Sequence, residues 1–197
     1  MAKNKMEEYG VVHKLEYFVR ADVANMSTID NNKFDVTVCY GAPLNYLYNN
    51  YSEGIKELFR VTKPGGKVVV SVNSRLGIFR TLLGKDNFNI NNFFGRPDYW
   101  MIDEVLETGN LPEHSDVPQP PSHFFVSNEL KTLFKNVGFK NIKLASSPCV
   151  ISGLRTKAEE IYKDKNSWNT LLRLELNSYQ NEYLADSGEF LLLSASK

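Results

Sequence analysis

The chain has 197 residues, and its 23 Lys and Arg balance 23 Asp and Glu to a net charge of zero. That length suits one domain with a real core, and the charge balance removes any global pull toward nucleic acid or anionic lipid. Two cysteines cannot make a disulfide framework, the polar N-terminus is no signal peptide, and the apolar runs at 68–70 and 191–193 are strand-sized, so the expectation is a cytoplasmic α/β domain with no membrane segment.

Residues 2–9 read as a short helix stopped by Gly10. Partial alternation over 15–23 (Leu15, Tyr17 and Val19 against Glu16 and Arg20) predicts a strand ending at Asp22. After a turn at Asn31-Asn32, the apolar and β-rich stretch 34–40 predicts a strand buried on both faces. A helix capped at Asn50 or Ser52 follows, with Ile55, Leu58 and Phe59 on one stripe. Lys63-Pro64-Gly65-Gly66 stops it, and 67–73 is the strongest strand in the sequence, which makes a right-handed βαβ unit.

Residues 75–125 are less regular. Pro97 can start a helix that carries Trp100, Met101, Val105 and Leu106 and ends near Gly109, before a loop rich in proline. Ser127 caps a helix with Leu130, Leu133, Phe134 and Val137 on one face and Gly138 as its stop. A strand over 139–145 comes next. Thr156 and Glu159 form a capping box that opens one long helix reaching Leu172, and 188–195 is the last strand.

The segment 34–41, read with Val61-Thr62-Lys63-Pro64-Gly65-Gly66-Lys67-Val68-Val69-Val70-Ser71 behind its helix, resembles class I S-adenosylmethionine-dependent methyltransferases. Glu129-Leu130 and Val137-Gly138-Phe139 resemble the helix before that family's sixth strand, and 184–197 its seventh strand. The resemblance implies a Rossmann-like sheet, mostly parallel with an antiparallel last strand, S-adenosylmethionine as cofactor, and a small-molecule methyl acceptor. Family members open with a glycine-rich loop and a strand ending in a ribose-binding acid. Here about 14 residues precede the first expected strand, and no two glycines are separated by a single residue. The expectation is therefore an incomplete, N-terminally truncated methyltransferase domain over 1–197, with its cofactor binding in question.

In the family's sheet order, 3-2-1-4-5-7-6, this leaves 34–40 at an edge. Unpaired backbone groups there invite direct pairing with 15–23, a homodimer or a partner chain. A non-catalytic remnant serving as an interaction module and one half of a split enzyme are the alternative functions.

The resemblance places Asp22 and the backbone N–H of Val23 against adenine, and Tyr40 and Gly41 beside the methionine end and the transferred methyl. Against this, Asp22 can be a turn aspartate, Met26 core filling, and Tyr40 a half-buried strand end. Asp35, Gly65 and Gly66 sit at the far end of the sheet and read as structural, as does Cys39. Asn73, Ser74 and Arg75 leave the strong strand on the ligand side. His123 is the histidine placed to act as a general base, although lone histidines are commonly structural. The aromatic insert at 79–125 is a candidate lid, and it lacks the Lys and Arg interleaving of a nucleic-acid site, which favours a small-molecule substrate.

Overall fold

The computed structural model describes residues 2–84, 100–113 and 119–197. In chain order its elements are α1 (Ala2–Glu8), β1 (Phe34–Cys39), α2 (Pro43–Tyr46), α3 (Tyr51–Val61), β2 (Thr62–Asn73), α4 (Arg75–Leu83) and α5 (Trp100–Thr108). They continue as β3 (Asn110–Leu111), β4 (Ser122–His123), α6 (Ser127–Val137), β5 (Lys140–Ser147), α7 (Arg155–Tyr162), α8 (Lys165–Ser178) and β6 (Phe190–Ser196). No described helix is long and apolar enough to cross a membrane.

Four strands form the main sheet in the order β1-β2-β6-β5. β1 and β2 run parallel with α3 as their crossover, and β6 runs antiparallel to both β2 and β5. This is the Rossmann-like arrangement expected, with one reversed strand and β1 at the edge. The Lys-Pro-Gly-Gly turn is absorbed into β2 as a bulge: Phe34 lies opposite Thr62, but Val36 lies opposite Lys67. Gly65 takes φ +77° there, and its N–H donates to the Lys197 carbonyl at 2.9 Å.

One face of the sheet is the core. Cys39, Val68, Val70, Val72, Leu191, Leu193 and Ala195 are buried there against Ile55 and Leu58 of α3 and Leu130 and Phe134 of α6. Each large aliphatic or aromatic side chain so placed contributes about 1.5–3 kcal/mol. The helical stripes read from sequence thus face the sheet, and Gly138 ends α6 in the left-handed conformation at φ +114°.

The other face differs from expectation. Val36 and Val38 are 55% and 59% exposed, so β1 is buried on one face only. Val69, opposite Val38 on β2, is half-exposed as well. An apolar, β-rich composition suits a two-sided strand, but it cannot specify which layers pack against it.

The strand expected over 15–23 does not form. A 3-10 turn at Val12–Lys14 leads into extended chain whose Tyr17, Phe18 and Val19 are exposed, and a lone bridge joins Asp22 to Asn25. Alternation supplies no hydrogen-bonding partner, and a strand without one leaves its backbone to water. Direct pairing of this stretch with β1 is therefore absent from the described sheet.

The single helix expected from residue 156 is two, α7 and α8. Asp164 interrupts it, its Oδ1 accepting from the Ser167 N–H at 2.8 Å as a new N-cap. Beside the main core, Val105, Leu111 and Phe124 make a second apolar cluster with Ile78, Phe79 and Met101. Its helix α5 ends at Gly109, φ +84°, as the sequence indicates, while the start expected at Pro97 lies outside the described residues.

Candidate functional site

Doubly wound sheets bind ligands beyond the carboxyl ends of their parallel strands. At that end of β1, Gly41 leaves the strand with φ +88° and donates its N–H to Ser71 Oγ on β2 at 3.0 Å. The short helix α2 then places Asn45 in full burial. Its Nδ2 donates to the His123 carbonyl at 2.6 Å and the Asn73 carbonyl at 3.3 Å, and its Oδ1 accepts from the Asn73 N–H at 3.0 Å. One amide thus ties the exit of β1 to the end of β2 and to β4. Phe125 N donates to the Asn73 carbonyl and Arg75 N to the Phe125 carbonyl, continuing the join.

Upon this frame sits a buried polar cluster. His123 is 2% exposed, with Nδ1 2.7 Å from Asn110 Oδ1 and Nε2 2.8 Å from Glu129 Oε1. The other Glu129 oxygen meets Arg75 Nη2 at 3.1 Å. Arg75 also donates to the carbonyls of Phe124, Thr108 and Leu106. Burial acts against the Glu129 charge, but the hydrogen bond and charge of His123, with Arg75 behind them, outweigh it and hold the carboxyl below its ordinary range. Tyr51, the first residue of α3, stacks on His123 with centroids 4.4 Å apart and presents its ring to Phe125 at 5.3 Å, edge to face.

The residues expected to hold cofactor are divided between two places. Tyr40 stands 56% exposed at the end of β1, next to Gly41, where a Cβ would meet nothing within 4 Å. Asp22 is exposed, and its Oδ1 accepts the Ala24 N–H at 2.9 Å, the geometry of a turn aspartate. Val23 and Met26 pack against the main core, and Val23 closes with Leu44 over Gly54. Glu57 and Arg60 of α3 clasp this turn through the Met26 N–H and carbonyl, at 2.6 and 2.7 Å.

Among the described residues the second Asp22 oxygen and the Val23 N–H have no partner, and the space around Gly41 is open. The sequence holds no glycine-x-glycine loop for the methionine carboxylate. Asp35 and the glycines at 65 and 66 lie at the opposite end of β1 and β2, Asp35 paired with Lys63 at 2.9 Å, and Cys39 is core.

Sequence reasoning passed over Glu129, Asn45 and Tyr51 as site residues. A glutamate at the third position of a helix is an ordinary capping residue, and nothing local announces a partner 54 positions earlier.

The ubiE/COQ5 methyltransferase family model matches residues 1–156 of the chain. The chain belongs to that family. The expected kinship with class I methyltransferases is thereby borne out. The demethylmenaquinone methyltransferase of Anoxybacillus flavithermus (strain DSM 21510 / WK1) is 28% identical over 148 residues, 73% of this chain and 56% of that protein. The chain thus spans little more than half the length of this curated relative. An S-adenosylmethionine dependent methyltransferase from Mesorhizobium loti superposes with a TM-score of 0.55 at 18% identity, over 98% of this chain and 76% of its own. The [4+2]-cyclase SpnF superposes at 0.52 and 17% identity, over 100% and 61%. At such identities the likeness is one of fold, and a cyclase among the neighbours illustrates how one fold hosts several reactions.

Proposed function

We propose that this chain forms the acceptor side of an S-adenosylmethionine-dependent methyltransferase that modifies a planar, oxygen-bearing small molecule, working in the cytoplasm, where its two free cysteines stay reduced. The observation that carries the reading is the polar and aromatic cluster at the carboxyl end of β1 and β2, in a chain of the ubiE/COQ5 family. The acceptor class follows the name of the Anoxybacillus relative. S-adenosylmethionine, when bound, supplies an electrophilic methyl, and the protein's share is to orient the acceptor and exclude water. Asp22 and Val23 hold adenine, and Tyr40 and Gly41 border the methyl end. His123 has both ring nitrogens engaged by the Asn110 and Glu129 oxygens, so in this arrangement it has no free nitrogen to take an acceptor proton. In the closed arrangement it orients Tyr51 and Asn110.

Calorimetric titration of the intact chain with S-adenosylmethionine and its demethylated product tests this. Saturable binding, weakened about tenfold by Asp22→Ala or Tyr40→Ala, is the expected result for one lost charged or polar contact of about 1.4 kcal/mol. Absence of heat at millimolar ligand from a folded sample removes autonomous cofactor binding.

A second reading rests on β1 itself. An edge strand with exposed Val36, Val38 and Tyr40 is suited to accept a strand from a second copy or from a partner chain completing a split enzyme. Light scattering across a concentration series reads it: association lost on Val38→Lys supports edge pairing, and a monomer at high micromolar concentration excludes the homodimer. For the split enzyme, cofactor binding must appear on adding the partner chain.

A further inference from the structure

A cavity of about 680 Å³ opens between α4, the turn that follows β5 and the first turn of α7, a volume that suits a small molecule. None of the residues lining it belongs to the cluster around His123. Ile78, Pro148, Ile151 and Ala158 give it apolar walls, and two charged residues line it as well. The Arg155 side chain is 89% exposed and donates its Nε to Glu159 at 3.0 Å, so its charge is already met. Glu189 is half-buried, and its carboxylate has no hydrogen-bond or ion-pair partner among the described residues. A carboxylate held beside apolar walls gives up solvation that a cation can restore.

The walls are tied to the fold. Glu175 of α8 accepts the N–H groups of Cys149 and Ile151 at 2.7 Å each. A Cβ on Gly84 would stand 1.4 Å from the Gly153 carbonyl oxygen, so the end of α4 and the turn meet backbone to backbone. Between Ile151 and Gly153 sits Ser152, 1% exposed, whose Oγ has no hydrogen-bond partner among the described residues. Buried hydroxyls in native proteins are met by protein, water or ligand, and here the protein supplies nothing. A site fixed in advance loses little freedom on binding. The family match ends at residue 156, so Ala158 and Glu189 lie beyond it.

We infer that this cavity is a second binding site, for an organic amine: its ammonium meets the Glu189 carboxylate while an apolar body lies against Ile78, Pro148, Ile151 and Ala158. The inference goes beyond the methyltransferase reading and does not rest on it.

The test titrates the intact chain by calorimetry at pH 7 with tryptamine and tryptophol, which share a skeleton and differ in carrying an ammonium or a hydroxyl. The wild type should bind tryptamine about tenfold more tightly, the worth of one charge-assisted hydrogen bond. Glu189→Gln should erase that preference, bind tryptophol as before, and leave the S-adenosylmethionine titration unchanged. Ala158→Phe, which fills the cavity, should abolish binding of both probes. Equal affinity of the wild type for the two, no saturable tryptamine binding at millimolar concentration, a preference that survives Glu189→Gln, or binding that survives Ala158→Phe each overturns the assignment. The wild-type comparison stands even where a variant folds poorly.

Discussion

Removing the Glu129 carboxylate strips His123 and Arg75 of the acceptor they share. The Arg75 and Glu129 side chains are 13% and 22% exposed and the His123 side chain 2%, so little solvent is at hand to replace what is lost. Breaking a buried charged pair costs about 3–5 kcal/mol. Arg75 keeps its carbonyl contacts at 3.3–3.5 Å, which offsets part of the loss, so Glu129→Ala should destabilise the fold by about 2–4 kcal/mol. In urea, with a slope of about 2 kcal/mol per molar, the midpoint should fall by about 1–2 M. Glu129→Gln, which keeps the shape and an acceptor oxygen, should lose roughly half as much. The pH dependence is also fixed in sign. A carboxyl whose folded-state pKa lies below its unfolded value contributes full stability above the unfolded value, about 4.3, and loses it as pH falls through the folded one. The gap between wild type and Glu129→Gln should narrow in acid, as pH falls through the folded-state value. A Glu129→Ala loss under about 0.5 kcal/mol would refute the cluster as a structural unit.

Gly77 is buried where α4 meets the approach to β6, and a Cβ there would stand 1.8 Å from the Gly188 carbonyl oxygen, a backbone atom that cannot swing aside. Gly77→Ala should therefore cost about 3 kcal/mol or more, read as insoluble expression or a much lowered midpoint, and near-native stability would show that the two segments are not packed this way. Burial raises the Cys39 thiol to about 11. At pH 8 its alkylation should run about two orders of magnitude slower in the native chain than in urea, measured by mass spectrometry, and comparable rates would mean that β1 opens readily.

Elements with a strong local pattern were legible. Val68, Val70 and Val72 declare a buried strand without help, and the stripe from Leu130 to Phe134 ending at Gly138 declares α6. What composition could not supply was the neighbour. Leu15 to Val19 alternates, yet no strand lies beside it among the described residues, and β1 carries Val36 and Val38 on a face that nothing covers there. The interruption at Asp164 was hidden because Lys163 to Ser167 are all tolerable inside a helix, and only the cap reveals the break. In the site, Tyr40, Gly41 and His123 were visible as residues at strand ends. The arrangement around His123 depends on Asn45, Tyr51, Arg75 and Glu129, and contacts across such separations leave no periodic trace in the sequence.

The position of β6 has a consequence for how the molecule breathes. It is bonded on both sides, to β2 and to β5, and it lies over the buried core, so its amides can exchange with solvent only when the whole sheet gives way. β1 is bonded on one side, and half of its N–H groups point away from β2. Deuterium should therefore enter from the rim that carries Tyr40 and reach the centre last, and the candidate site straddles that gradient. Gly41 sits at the labile margin, while Asn45 and His123 are locked into the slow interior.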